Sequence, residues 1–349
     1  MSDAPTVDAR PLLVRLGPLI ALVLVGALAW QLVSVLLLVF GAVVIAVLLK
    51  ALADPVRRHT PLSQGLSLGL VVLAIIALLA GGGWMFGIQI TTQVNGILER
   101  APAAWNWIQA HLAANAAGRY ILKNVEPSSL VSGAGVFSGV TKVATNTAGA
   151  ITEILLVLVG AVYLAADPGL YFNGLLLLTP HRVRANIGRA LSESGDALRS
   201  WLFGQVIAMV LIGTMTGVGM AAIHTPSALV LGLFAGFAEF IPLIGPLIGA
   251  APALLTALSV SPQQVLWTAI IFLVIQQLEC NAIQPIIQRR MVAVAPVLSL
   301  FSLAALGVLF GPIGLVLSAP LTVIIVVWVK ALYVRDVLGE AMDPKKTGG

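Results

Sequence analysis

The chain has 349 residues, of which 9% are charged and 59% hydrophobic, with a mean hydropathy of +1.03. A soluble domain is about a quarter charged, so this composition cannot cover a water-soluble core, and it is too apolar for a disordered chain. The apolar residues also run unbroken rather than alternating, which argues against an outer-membrane barrel and leaves an all-α polytopic membrane protein.

The first element is an uncharged run of 34 residues, Leu16 to Leu49. It exceeds a signal-peptide core and is too long for one span of about 20 residues. Its soft spot at Trp30-Gln31 and Ser34 predicts a tight hairpin, Leu12–Trp30 and Leu32–Leu49. A short basic loop with Lys50, Arg57 and Arg58 leads to a third span, Gly65 to Ile90, which completes an amino-terminal unit over 1–90. Residues 91–148 are polar and carry Trp105 and Trp107, so an extracytoplasmic helical region is expected there. A fourth span follows at 149–166 and is closed by Asp167-Pro168. In 167–203, Val183, Ile187, Leu191, Leu198 and Leu202 share a helical face that Arg182, Arg184, Arg189, Glu193 and Arg199 avoid. That pattern predicts an amphipathic helix on the cytoplasmic membrane surface, with a gating or coupling element as the alternative.

Residues 204–330 form an almost wholly apolar carboxyl-terminal core, followed by a tail at 331–349. Two of its segments, 226–260 and 297–329, are interrupted by Gly and Pro. The pieces of the second are 14 and 18 residues, short for full spans, so re-entrant hairpins are expected and the total is about seven or eight membrane elements. GPLIGAAPALL at 245–255 and GPIGLVLSAPL at 311–321 form a weak internal repeat. Paired, broken apolar segments point to a transport site. A broken helix frees backbone N–H and C=O groups, and these survive at membrane depth only against protein or a watery cavity. A simple kinked helix is the plainer alternative.

Charge position sets the orientation. The net charge is +5, but the basic residues read as topology rather than as a nucleic-acid surface. With both termini cytoplasmic, 15 of the 19 Lys and Arg lie inside, and only Arg100, Arg119, Lys123 and Lys142 lie outside.

The spans hold no Lys or Arg but three acids, Glu153, Glu239 and Glu279. An ionisable group at that depth is a functional candidate by default. Glu153 sits in the first turns of its helix, where a carboxylate is favoured. Glu239 and Glu279 have no basic partner in the spans, so each is protonated, bound to a cation, or hydrogen-bonded to a neighbouring helix. Helical spacing puts Gln277, Asn281 and Gln284 on one face with Gln276 and Glu279 flanking, before Pro285 breaks the helix. That face suits a solute path or an oligomer contact. Gly213-x-x-x-Gly217 permits self-association but equally suits packing within the chain. No phosphate-binding glycine loop, paired metal-ligand histidines, Arg ladder or protease constellation stands in the sequence. A single cysteine, Cys280, excludes an intrachain disulfide. No cofactor, metal or catalytic residue is expected, and an enzyme is disfavoured.

FAEFIPLIGPLIGAAPALLTAL (237–258), QQLECNAIQPIIQRR (276–290) and LGVLFGPIGLVLSAPL (306–321) resemble, in that order, the autoinducer-2 exporter family of bacterial membrane transporters. Tyr163-x-x-x-Asp167, Pro180-His181-Arg182 and Leu202-Phe203-Gly204-Gln205 also stand in that family's order. The resemblance implies a transporter in the bacterial inner membrane that exports a small polar signal or, in some members, exchanges sodium or lithium for protons. Pro242, Gly245, Pro246, Gly249, Pro252, Glu279, Asn281, Pro285, Gly311, Gly314 and Pro320 match its motif positions, and Pro312 lies within the second break. One departure is IIQRRMVAVAP after Pro285, where the family often has a Gly before the basic or polar position. A passive channel and a non-transporting scaffold are the rival classes.

Overall fold

The computed structural model describes residues 10–78, 80–85, 87, 147–288, 294–336 and 338. Most of the extracytoplasmic region expected at 91–148, together with Arg289, Arg290 and most of the tail, lies outside the described residues. The described chain is helical throughout. Five of its helices are long and apolar enough to cross a membrane, or six if one bent pair counts as a single span.

Helix α1 (Arg10–His59) is one continuous helix of 50 residues. The expected hairpin at Trp30-Gln31 is therefore absent. An amide and a hydroxyl are tolerated inside a helix, whereas a break there would need a proline or its equivalent. At 1.5 Å per residue the helix is about 75 Å long, and its Leu32–His59 portion is the candidate span. The cytoplasmic amino terminus rested on that hairpin; in the single helix, Arg10 and Lys50 lie far apart along one rod.

Helix α2 (Gln64–Met85) and helix α3 (Thr147–Ala166) follow. Small side chains, Ala42, Ala46 and Ala53 of α1 with Ala161 and Ala165 of α3, let these helices approach closely, as membrane packing requires. The chain bends by 90° after α3. Asp167 Oδ1 accepts from Leu170 N at 3.1 Å and Pro168 opens helix α4 (Pro168–Leu177), a capped restart.

Helix α5 (Arg184–Ala222) is a single 39-residue helix. The boundary expected at 203/204 falls inside it. The carboxyl-terminal part of the apolar face read as membrane-facing packs on protein, since Leu198 and Leu202 are buried against Leu37 and Val44 of α1 and against Val323 and Val327, while Val183 stays exposed. At this end Arg199 pairs with Asp54 at 2.9 Å and Arg335 with Glu193 at 2.8 Å, while Trp328 Nε1 donates to Ser194 Oγ at 2.9 Å. These contacts gather Lys50–Arg58, Arg184–Arg199 and Lys330–Arg335 at one pole of the bundle. The pairs are partly exposed, so each adds at most about 1 kcal/mol.

Helices α6 (Ala228–Ala238) and α7 (Gly245–Val260) form the first broken segment. They have 11 and 16 residues, about 17 and 24 Å, short of the roughly 30 Å core of a bilayer. A Cβ on Gly249 would lie 3.0 Å from Ala235 Cα, so the two helices double back on each other. Helix α8 (Pro262–Leu278) leads through a π-helical turn, Glu279–Ile283, to helix α9 (Gln284–Gln288).

Helix α10 (Pro296–Trp328) contains the second break, at Gly311, with φ 61° and ψ −142°. A Cβ on Gly314 would collide with the Leu306 carbonyl oxygen, a proximity that requires the chain to turn back. Only glycine adopts that backbone geometry without strain. Gly311→Ala is expected to cost about 1–3 kcal/mol, read as a lower melting temperature of the detergent-purified protein.

Candidate functional site

The two hairpins both pack against α5 and line a common cavity there. Pro242 and Gly245-Pro246 end α6 and restart α7, because proline supplies no N–H to continue the first helix and is accommodated in the first turn of the second. Leu243 in the break has φ 71°, a left-handed conformation unusual for leucine. The break leaves the Glu239 carbonyl accessible, and Gln205 of α5 donates to it through Nε2 at 2.5 Å. Gln205 is thus the protein partner that a broken membrane helix needs. It lies in the middle of α5. Gln205→Leu would orphan this carbonyl at a cost of about 1–3 kcal/mol, measurable as a fall in melting temperature.

The Glu239 side chain is 0% exposed, and among the described residues no nitrogen or hydroxyl donor reaches either carboxyl oxygen. Its neighbour is the carboxyl of Glu279, itself 4% exposed. Glu279 accepts from Gln276 Nε2 at 3.4 Å and from Gln284 Nε2 at 3.3 Å. The structure therefore joins two acids that stand 40 positions apart. Two negative charges side by side in a desolvated site repel strongly, and one proton or one monovalent cation between them relieves that repulsion. The arrangement is chemically able to hold either.

The polar cluster is grouped differently from the helical expectation. Asn281 Nδ2 donates to Gln277 Oε1 at 3.0 Å, and both residues are exposed. Gln284 instead joins Glu279, five residues earlier. The cause is the π-helical turn, whose i→i+5 register brings residues five apart onto one face. Nor does Pro285 end the helix, which continues to Gln288. The wider turn accommodates the missing proline N–H. Glu153 stands exposed on α3, outside this constellation.

A cavity of about 170 Å³ adjoins the acids. Trp201 and Gln205 of α5, Pro242 and Leu243 of the first break, and Gln284 line it, with Ser299 and Ser318 from opposite arms of α10. Pockets for drug-sized molecules run from about 300 to 1,000 Å³, so this one suits a small solute. Among the described residues its wall is apolar with amide and hydroxyl groups and no charged side chain. Gln205 and Gln284 each face the cavity and also contact one of the two glutamates. Sequence reasoning did not assign Ser299, Ser318 or Trp201 to the site; for the two serines the signal was a pair of hydroxyls in each apolar arm, Ser299 with Ser302 and Ser318 with Thr322.

Of the other motif residues, Gly245 and Gly249 allow the close α6–α7 approach, Pro252 lies inside α7, and Gly311, Pro312, Gly314 and Pro320 shape the second hairpin. Gly213 and Gly217 face Gly232 and Gly236 of α6, so this small-residue stripe is used within the chain.

The sequence profile of the AI-2E family transporters matches residues 19–334. YueF of Bacillus subtilis (strain 168), provisionally named a transport protein, is 24% identical over 302 residues, 82% of each chain. YrrI of the same organism, named likewise, is 32% identical over 163 residues, 47% of this chain and 46% of its own length. The AI-2 transport protein TqsA of Escherichia coli (strain K12) is 26% identical over 190 residues, 53% of this chain and 54% of its own. A match over nearly the whole chain, on a bundle of long apolar helices, settles the family: this multi-pass membrane protein belongs to the AI-2E family of transporters.

Proposed function

We propose that the protein moves a small polar solute across the bacterial cytoplasmic membrane, driven by an ion gradient or by the solute's own gradient. The observation that carries this reading is the buried Glu239–Glu279 pair beside a small uncharged cavity that both helical hairpins line. In this mechanism the hairpins are re-entrant and the basic pole faces the cytoplasm, in keeping with the positive-inside rule. The pair takes up a proton or a cation, Gln284 and Gln205 relay the occupancy of the cavity, and the broken segments rearrange between inward and outward access. An autoinducer-2-like solute is the substrate class that the relationship to TqsA favours, and export is the direction this reading takes.

A second reading, a sodium or lithium/proton antiporter, is favoured by the carboxyl pair itself, since two carboxyls that hold one proton also suit one small monovalent cation.

Flux into proteoliposomes, measured for a panel of small polar solutes under imposed pH and sodium gradients, tests the proposal. Gradient-driven solute accumulation supports the first reading, and sodium-driven proton movement without solute supports the second. Ion conductance far above carrier rates would replace both with a channel. No flux of any kind would favour a scaffold.

A further inference from the structure

A second pocket lies at the basic pole, away from the transport site. It has a volume of about 90 Å³ and lies between the carboxyl end of α1, the start of α2 and the end of α3. Its polar wall is Lys50, Asp54, Arg57, Gln64 and Ser67. Ser67 is 1% exposed, yet its hydroxyl has no hydrogen-bond partner. A buried unsatisfied hydroxyl costs about 1–3 kcal/mol, so its position facing a small pocket calls for a ligand oxygen.

The electrostatics specify the sign of that ligand. Asp54 is engaged by Arg199 at 2.9 Å. The Gln64 amide is engaged by the Ala166 carbonyl at 3.3 Å. Among the described residues, the ion pairs of this pole use Arg189, Arg199 and Arg335, and not Lys50 or Arg57. Two cations therefore line the pocket with the one acid already paired. The amino end of α2, a 22-residue helix, adds the positive end of its dipole. A hydroxyl donor, two uncommitted cations and a helix amino terminus together favour a compact anion with several acceptor oxygens. The pocket also sits where the candidate spans Leu32–His59 and Gln64–Met85 end, at the level of lipid headgroups.

We infer that Lys50, Arg57 and Ser67 form a binding site for a phosphate group, which an anionic phospholipid headgroup supplies. A basic pocket between membrane helices is a recurrent way of holding such headgroups. The site is independent of the carboxyl pair, and it ties the α1–α2–α3 corner to the surrounding leaflet.

The test uses the full chain, purified in detergent and stripped of lipid. Binding is followed by native mass spectrometry and by melting temperature with phosphatidylglycerol, phosphatidylcholine or inorganic phosphate. Phosphatidylglycerol is expected to bind and raise the melting temperature, while phosphatidylcholine does neither. Arg57→Gln and Ser67→Ala are each expected to weaken phosphatidylglycerol binding by about five-fold or more. Both should fold, since Arg57 is exposed and the Ser67 hydroxyl holds no bond. Arg58→Gln, outside the pocket, should leave binding unchanged. Protection by inorganic phosphate with the same dependence on these variants would keep the site and assign it to a soluble source. Equal effects of phosphatidylglycerol and phosphatidylcholine without a phosphate effect, or an Arg58→Gln loss as large as that of Arg57→Gln, would overturn it.

Discussion

Glu279→Gln protein in proteoliposomes is expected to lose all gradient-coupled transport while reaching the membrane in normal amount. Glutamine has the size of glutamate and keeps one of the two contacts with Gln276 and Gln284 as it stands, and the other once that neighbour's amide flips to present its oxygen, so the fold should survive. It also removes one of two adjacent negative charges, so the melting temperature should not fall. What it takes away is the exchangeable proton or cation. Glu239→Gln should behave alike, and the double variant should be no worse than either single one. Groups acting as one unit are strongly non-additive. Normal coupled transport by either single variant would remove the carboxyl pair from the mechanism.

Gly232→Leu is expected to prevent assembly of the bundle. A Cβ there would stand 2.6 Å from Gly213 O, 2.6 Å from Gly217 Cα and 2.7 Å from Gly217 N. All three are backbone atoms, so no rotamer change relieves the clash and α6 must move away from α5. Overpacking costs about 1–3 kcal/mol even where side chains yield; here the cost should be about 3 kcal/mol or more, a large share of a stability of 5–15 kcal/mol. Moving α6 would also carry Glu239 away from Gln205 and Glu279. The readouts are the yield of monodisperse protein in detergent and its melting temperature. Gly195→Ala is the control. It lies mid-helix in the same α5 with nothing within 4 Å, so alanine should be neutral or stabilising.

The features visible in the sequence were local. Pro242, Gly245, Pro246, Gly311 and Pro312 announce breaks because each changes what one residue's backbone can do. Charge at depth singled out Glu239 and Glu279 individually. Their contact was not legible, since it joins different elements and depends on how the first hairpin packs against α5. Gln284 was grouped with Gln277 and Asn281 because a 3.6-residue period was assumed, and one π-helical turn rotated it onto Glu279. The length of the first run and its polar spot at Trp30-Gln31 and Ser34 suggest a turn, but no Gly or Pro stands at 27–34 to make one. The α5 stripe was apolar as expected, but Leu198 and Leu202 meet protein rather than lipid. Hydropathy does not distinguish those two partners.

The most direct test of the shared carboxyl site is a proton count. Purified protein in weakly buffered detergent solution, with a pH-sensitive dye, is titrated with sodium or with a transported solute. Proton release on binding is predicted for the wild-type chain. It should be abolished equally in Glu239→Gln, in Glu279→Gln and in the double variant. Release that persists unchanged in both single variants would contradict the account, because the proton would then be held elsewhere.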